Sequence, residues 1–324
     1  MDHYFNRRKR HPGLKVRGIC IAGLLVLASW AGNAIAEFEQ VAPDLYFNYD
    51  HGGSNSAILI TEEGVLVVDT RMHPDDAELL LAEIRTHTDA PIKYVINSQF
   101  HGDHYMGNKV FAREGATFIA HTDTKAVILE RFEYEVNSRP FASRGQDSSE
   151  VELVLPDILF NTQLNLTLGG RTIELLYIGA GQNEGDTLVH FPHARAMHSG
   201  GVFHNRSWAN TSYTPSFDGW VNVLTAMQDI DVDTYLPPHG PLATKKDLEA
   251  FTQFIAKLNS SVKSAVTAGT PLAEMLQNLT FDEYSEWRGY DRRERNLTAM
   301  HELMTTGEAQ YFVPNERAAP IPSQ

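Results

Sequence analysis

Apolar residues along this chain follow two rhythms, and each change of rhythm marks a change of element. Residues 54–70, SNSAILITEEGVLVVDT, hold two β-rich runs on either side of Glu62-Glu63-Gly64, which predicts a hairpin. Residues 73–87, HPDDAELLLAEIRTH, place a proline near the start, acids in the first turn and apolar positions at helical spacing, so a helix is expected there. IKYVINS (92–98) reads as a short buried strand and ATFIAH (116–121) as another, with a short helix between them that should begin near Tyr105.

The second half repeats this alternation. LNLTLGGRTIELLYIGA (164–180) predicts a hairpin turning at Gly169-Gly170, and DTLVHFPHARAMHSGG (186–201) two further strands. FDGWVNVLTAMQDI (217–230) predicts a helix, TYLPPHG (234–240) a strand ending in a turn, and residues 243–266 a long helix. Two similar halves of strands and helices imply an α/β layered fold, with two sheets face to face and helices outside. No solenoid-type repeat is visible. The stretch from about 270 reads as helical before a tail, NERAAPIPSQ, of the composition expected at a disordered end.

The first 36 residues stand apart. NRRKRHPGLKVR is a basic segment, and GICIAGLLVLASWAGNAIA is apolar and ends in Ala34-Ile35-Ala36, the pattern of a cleavable export signal. Ser29, Gly32 and Asn33 interrupt its apolar core, which is short for a bilayer span, so no stable membrane anchor is expected after cleavage. The organisation read from sequence is therefore a signal peptide over 1–36, a main domain over 37–255 and a helical extension with tail over 256–324. The expected location is periplasmic or secreted.

Composition sharpens this picture in two ways. The chain carries a net charge of −14, and cleavage would remove six cations and one acid, leaving about −19. Such an acidic balance argues against nucleic-acid binding and says little else about partners; a small-molecule substrate is the expectation that the site chemistry below carries. The single cysteine, Cys20, lies in the leader, which excludes a disulfide framework and thiolate chemistry from the mature chain. Any metal must be held by nitrogen and oxygen.

The densest chemistry is in NSQFHGDHYMGN (97–108), where His101-Gly102-Asp103-His104 follows a buried strand directly. Loops at strand ends are where α/β sheets place their sites. Asp103 and His104 can share one cation, and a remote histidine would complete a His₂-carboxylate set with a position open to water. His239, in YLPPHGPLAT, is the best remote candidate, because it too follows a strand and prolines and a glycine fix its turn. His198 and His204 flank a glycine turn and are further candidates for a substitute ligand. Loops at 132–147 and 204–216 offer Tyr134, Arg139, Arg144, Asn205, Arg206, Trp208 and Tyr213 as exposed residues near the site.

At this point the chain resembles the metallo-β-lactamase superfamily. QFHGDH is similar to the H-x-H-x-D-H signature, with Gln99 at its first histidine. GAGQNEGDTLVHFP resembles G-x-x-H-x-x-G-D with Gln182 at the histidine, PPHG resembles the P-G-H-G turn, and the hairpin at 54–70 with Asp69 resembles the family's first. The resemblance runs from about residue 40 to 255. It implies a four-layer αββα sandwich with a metal site at the shared edge of the two sheets.

Family members often hold two zinc ions. The first falls on Gln99, His101 and Gln182, a set that has lost two imidazoles; the second falls on Asp103, His104 and His239, all present. A bridging aspartate would fall on Gly201 in MHSGGVF. A glutamine oxygen is a weaker zinc donor than an imidazole. The resemblance therefore implies one zinc per chain, in the second pocket, with Asp103 also orienting an attacking water. The matched glutamines could hold a water or a substrate group instead of the first ion. A mononuclear zinc hydrolase of an amide, ester, thioester or lactone, a β-lactam included, is the leading expectation. A degenerate binding protein and a non-haem iron enzyme are the alternatives.

Overall fold

The computed structural model describes residues 38–49 and 53–308; the stretch expected to be an export signal and the expected tail lie outside the described residues. The first sheet is built in chain order. It contains β1 (Phe38–Ala42), β2 (Leu45–Asn48), β3 (Ser56–Thr61), β4 (Gly64–Val68), β5 (Ile92–Ile96), β6 (Thr117–His121) and β7 (Ile158–Phe160). Strands β1 to β4 pair antiparallel, and β4 to β7 pair parallel across helical crossovers. Those crossovers hold α1 (Pro74–His87), α2 (Gly102–Tyr105), α3 (Asn108–Arg113) and α4 (Thr122–Ser138).

The second sheet contains β8 (Gln163–Leu168), β9 (Arg171–Leu176), β10 (Leu188–Phe191), β11 (Ala196–His198) and β12 (Thr234–Leu236). Its order is β12-β11-β10-β9-β8, with only the β11–β12 pair parallel. Helices α5 (Phe217–Met227), α6 (Lys245–Thr267), α7 (Leu272–Asn278) and α8 (Arg293–Thr306) follow. The turn between β8 and β9 is two residues long, and Gly169 and Gly170 both take positive φ, 55° and 72°. Such a turn demands that backbone and favours glycine at both places.

Alternation along the strands assigns the layers. Leu59, Leu66, Val68, Ile96 and Ile119 face Ile173, Leu175, Val189 and Phe191 of the second sheet, forming the core between the sheets. Their neighbours Ile58, Val65 and Val67 turn outward onto Leu80 and Ile84 of α1 and Val110 and Phe111 of α3. On the far side Met197 and Tyr235 pack with Trp220 of α5, Phe251 and Phe254 of α6 and Leu297 and Met300 of α8. The result is the expected helix–sheet–sheet–helix sandwich.

Helix boundaries follow from local chemistry. His73 caps α1 by accepting from the Asp75 amide, with Pro74 at its first position and Asp75 and Asp76 in its first turn. Thr244 and Asp247 form a capping box on α6, whose buried residues Leu248, Phe251, Phe254, Ile255, Leu258 and Val262 keep helical spacing. Residue 255 lies inside this continuous helix, and α8 shares its apolar core.

Three expectations need correction. Residues 132–138 are the end of α4, not a loop: Ile128, Phe132 and Glu135 are buried one helical turn apart, while exposed acids on the other face mask the pattern. Helix begins at Gly102, not near Tyr105, so Asp103 and His104 sit on a helical turn. Trp208 and Asn205 are buried, Trp208 in the core beneath α6 and α8 and Asn205 in a backbone clamp described below.

Candidate metal centre

Strands β4 and β5 end side by side, and the chain uses that edge to fix His104. Just past β4, Asp69 takes φ 64°, a left-handed conformation uncommon for aspartate. This aims its buried carboxylate across to the turn after β5. One oxygen accepts from the Ser98 amide at 2.8 Å, and the other from the Ser98 hydroxyl at 2.7 Å. The second oxygen also lies 2.6 Å from Nδ1 of His104. A proton on Nδ1 shared with Asp69 leaves the lone pair on Nε2, the arrangement by which a carboxylate orients a metal-binding imidazole.

Asp103 is pinned through its backbone. The Ser54 hydroxyl donates to the Asp103 carbonyl, and the Ser54 carbonyl accepts from the buried Arg71 guanidinium at 2.6 Å. Burial pushes Arg71 down to about 9, against the charge of Asp76, which still leaves it a cation at neutral pH.

His239 arrives from the other sheet, in the turn after β12. Asn55 holds that turn through its side-chain amide, which donates to the carbonyls of Pro237 and Gly240, each at 2.8 Å. The Asn55 amide donates to Pro238 at 2.7 Å, and the Asn205 amide to the His239 carbonyl at 3.0 Å. Gly240 has φ 95° and lies against the Asn205 carbonyl, where a Cβ would collide. The glycine is thus required by both conformation and space.

These three supports bring Asp103, His104 and His239 together. An Asp103 oxygen lies 3.4 Å from Nε2 of His239 and 3.9 Å from Nε2 of His104. One ligand atom from each falls within 4.8 Å of the others, and among the described residues this is the group of its kind that the fold assembles. Donors about 2.1 Å from a tetrahedral ion lie roughly 3.4 Å apart, so the spacing suits a metal after small side-chain adjustments.

The electrostatics suit it at Asp103 and His239, while the shift at His104 favours a proton that an ion would have to displace. Burial alone would raise the Asp103 carboxyl, but His104, His239 and His101 hold it far below the usual carboxylate range. Burial pulls His239 down to about 4 despite Asp103, which keeps its lone pair free at neutral pH. Burial opposes protonation of His104, but Asp69 and Asp103 outweigh it and raise that histidine above its ordinary value.

The other candidates do not join this group. Gln99 is fully buried; its amide nitrogen stands 2.8 Å from Nε2 of His104, and its oxygen accepts from the Asn183 side chain at 2.7 Å. The Gln182 amide donates to the Asn210 carbonyl at 2.8 Å, and its oxygen lies 3.4 Å from the same Asn183 nitrogen. The paired glutamines are therefore tied to each other through Asn183 and to the protein around them. His101 packs on Tyr213 with ring centres 5.3 Å apart. His198 approaches Asp69 at 3.8 Å, and the His204 ring lies 4.9 Å from that of His239.

Gly201 closes the bridging position. A Cβ there would overlap the carboxylate of Asp186, which is fixed by the Asn183 amide at 2.9 Å and its side chain at 3.0 Å. Burial pushes Asp186 up to about 7, although those hydrogen bonds oppose the shift.

A cavity of about 340 Å³ is lined by Asp103 and His239 together with His101 and His204. Arg288, Arg292 and Arg295 line it from the C-terminal extension. Sequence reasoning missed these arginines, although their i, i+4, i+7 spacing in RGYDRRER was visible. It also missed the clamps made by Ser54, Asn55 and Arg71, which join residues far apart in sequence.

Comparison with known proteins agrees with this architecture. The chain is 22% identical over 228 residues to the 2,4-dinitroanisole O-demethylase subunit alpha of a Nocardioides species, covering 69% of this chain and 65% of the relative. It is 22% identical over 224 residues to a linear primary-alkylsulfatase of a Pseudomonas species, covering 58% of this chain and 42% of the relative. The chain thus spans less than two thirds of either relative. In structure it resembles a stereoselective inverting sec-alkylsulfatase from a Pseudomonas species, with TM-score 0.68 and 17% identity, over 89% of this chain and 52% of that one. The family model described as the metallo-beta-lactamase superfamily matches residues 49–239, more than half the chain, and the chain belongs to that superfamily.

Proposed function

We propose that this chain is an exported, metal-dependent hydrolase that works with one divalent ion, zinc by its donor set, at Asp103, His104 and His239. The observation that carries the reading is the convergence of one carboxylate and two imidazoles, from two sheets, within 4.8 Å. An ion bound there supplies Lewis acidity and brings the pKa of a coordinated water to roughly 7.

The chain's own residues divide the remaining work. Asp103, ionised and held through Ser54, has a second oxygen with which to orient an attacking water. Asp69 keeps the His104 ring in place and supports its basicity as a ligand. Gln99 must withdraw its amide from Nε2 of His104 before that nitrogen can bind an ion. His101 and His204 line the cavity, and their buried Nε2 atoms have no hydrogen-bond partner among the described residues, so a substrate group that reaches them can bond there.

Ester-type substrates are favoured over lactams, because the relatives' names speak of an alkyl sulfate and of an aryl methyl ether, both with an alkyl–oxygen bond. Among the described residues no helix is long and apolar enough to cross a membrane. The test is turnover of a panel of sulfate, carboxylate and thioesters by the zinc-loaded mature chain. His239→Ala and Asp103→Asn should each reduce kcat/KM at least a hundred-fold. A wild-type chain that binds zinc but hydrolyses nothing in the panel would favour a binding protein, for which the Gln99–His104 contact is the supporting observation.

A further inference from the structure

Strand β11 carries a polar ring where its alternation calls for an apolar one. Ala196 faces the core between the sheets and Met197 the outer core, so by the two-residue period of a strand His198 faces inward again. Its cross-strand neighbours, Val189 on β10 and Leu236 on β12, belong to that inner core. The His198 side chain is fully buried. An imidazole in such a place needs a use for each of its ring nitrogens.

A turn fixes the first of them. Nδ1 of His198 accepts from the Gly200 amide at 3.3 Å. Gly200 holds φ 51°, and a Cβ there would collide with the Thr187 carbonyl, so this turn is set by its glycine. An accepting Nδ1 leaves the proton of the neutral ring on Nε2. That nitrogen lies 3.8 Å from Oδ2 of Asp69, and among the described residues it completes no hydrogen bond. Burial pulls His198 down to about 4, although Asp69 and the Asn55 backbone favour a proton on it.

Oδ2 of Asp69 is the oxygen that faces Nδ1 of His104 at 2.6 Å and accepts from the Ser98 hydroxyl at 2.7 Å. His198 therefore brings, from the second sheet, one more N–H to the oxygen that orients a candidate ligand of the first. Donors aimed at a carboxylate favour its charged form. Each of them thus keeps the shared proton on Nδ1 of His104 and the lone pair on its Nε2. A separation of 3.8 Å is too long for a hydrogen bond, but in a buried site an N–H dipole acts on a charge more strongly than in water.

We infer that His198 is a positioning residue of the candidate metal centre, presenting its Nε2 proton to Asp69 and, through Asp69, holding the His104 ring with its own Nε2 directed at an ion. His198 then supports a ligand and is not itself one. The inference rests on the metal-centre reading for its purpose but not for the contact with Asp69.

The experiment compares two variants of the mature chain. In His198→Gln the side-chain amide can still donate to Asp69, whereas His198→Leu fills similar space with no donor. By competition with a chromophoric chelator, His198→Leu should weaken zinc about three- to ten-fold, less than the roughly ten- to hundred-fold typical of deleting a ligand's direct partner. His198→Gln should stay close to wild type. A packing role predicts the reverse order, because leucine suits a core-facing position better than glutamine. In an Asp69→Asn background His198→Leu should cost nothing further, since the effect passes through that carboxylate. A second readout needs no metal: the low-field Nδ1 proton resonance of His104 should keep its place in His198→Gln and move in His198→Leu. If His198→Leu does not fold, His198→Phe makes the same test. A wild-type chain that takes up no zinc, but whose proton resonance still moves with leucine, would overturn the metal-centre reading alone. Zinc affinity and proton resonance both unchanged in His198→Leu would overturn the positioning role alone.

Discussion

The side-chain amide of Gln99 sits 2.8 Å from Nε2 of His104, on the one nitrogen of that ring that Asp69 leaves available. A position where the resemblance expects a metal-binding histidine here covers the candidate ligand atom of the neighbouring group. Metal binding must therefore break this contact, and the cost belongs to the affinity.

Removing the obstacle should help. A hydrogen bond of this kind contributes about 0.5–1.5 kcal/mol net, so Gln99→Ala should tighten zinc roughly two- to ten-fold, measured by competition with a chromophoric chelator. Unchanged or weaker binding would show that Gln99 does not guard His104. Gln99→His should not create a second tight site, because Gln182 still stands in that pocket and Asp186 still fills the space beside Gly201.

Asp186 gives the metal-free chain a pH signature. Its folded pKa, about 7, is raised above the ordinary 3.8 by burial, so the folded chain holds this proton more tightly than the unfolded chain. The resulting stability is fully present below pH 3.8 and is lost as the pH rises through about 7. Asp103 has the opposite shift, and its contribution is lost only in more acidic solution, below that window. Urea unfolding of wild type and Asp186→Asn from pH 4 to 8 should show wild type losing stability relative to the variant as the pH rises. Parallel curves would refute the assignment.

Gly201 should be intolerant of any side chain. Overpacking beside a fixed, buried carboxylate costs about 1–3 kcal/mol, so Gly201→Ala should lower the urea midpoint with an unchanged slope. Stability within about 0.5 kcal/mol of wild type would mean that Asp186 moves aside freely.

Much of this was legible because the signals are local. His101-Gly102-Asp103-His104 packs ligand types into four residues, and the turn residues around His239 advertise a fixed loop after a strand. The sandwich was legible for a similar reason, since the alternation that sends Leu59 and Leu66 inward and Ile58 and Val67 outward is written into β3 and β4. What could not be read depends on distant partners. The commitment of Gln99 to Asn183, the clamp of Asn55 on the Pro237 and Gly240 carbonyls, and the exclusion of a side chain at 201 by Asp186 are contacts that no window of sequence contains. The end of α4 was misread because its buried face includes Glu135, a charge made tolerable by Arg139 and Arg131.

The most direct test is the zinc content of the mature chain, set beside that of His239→Ala and Asp103→Asn. The proposed function predicts about one zinc per chain for wild type, and substantially less for both variants at equal free metal. A wild-type chain that takes up no divalent ion, or variants that keep theirs, would contradict a metal centre at Asp103, His104 and His239.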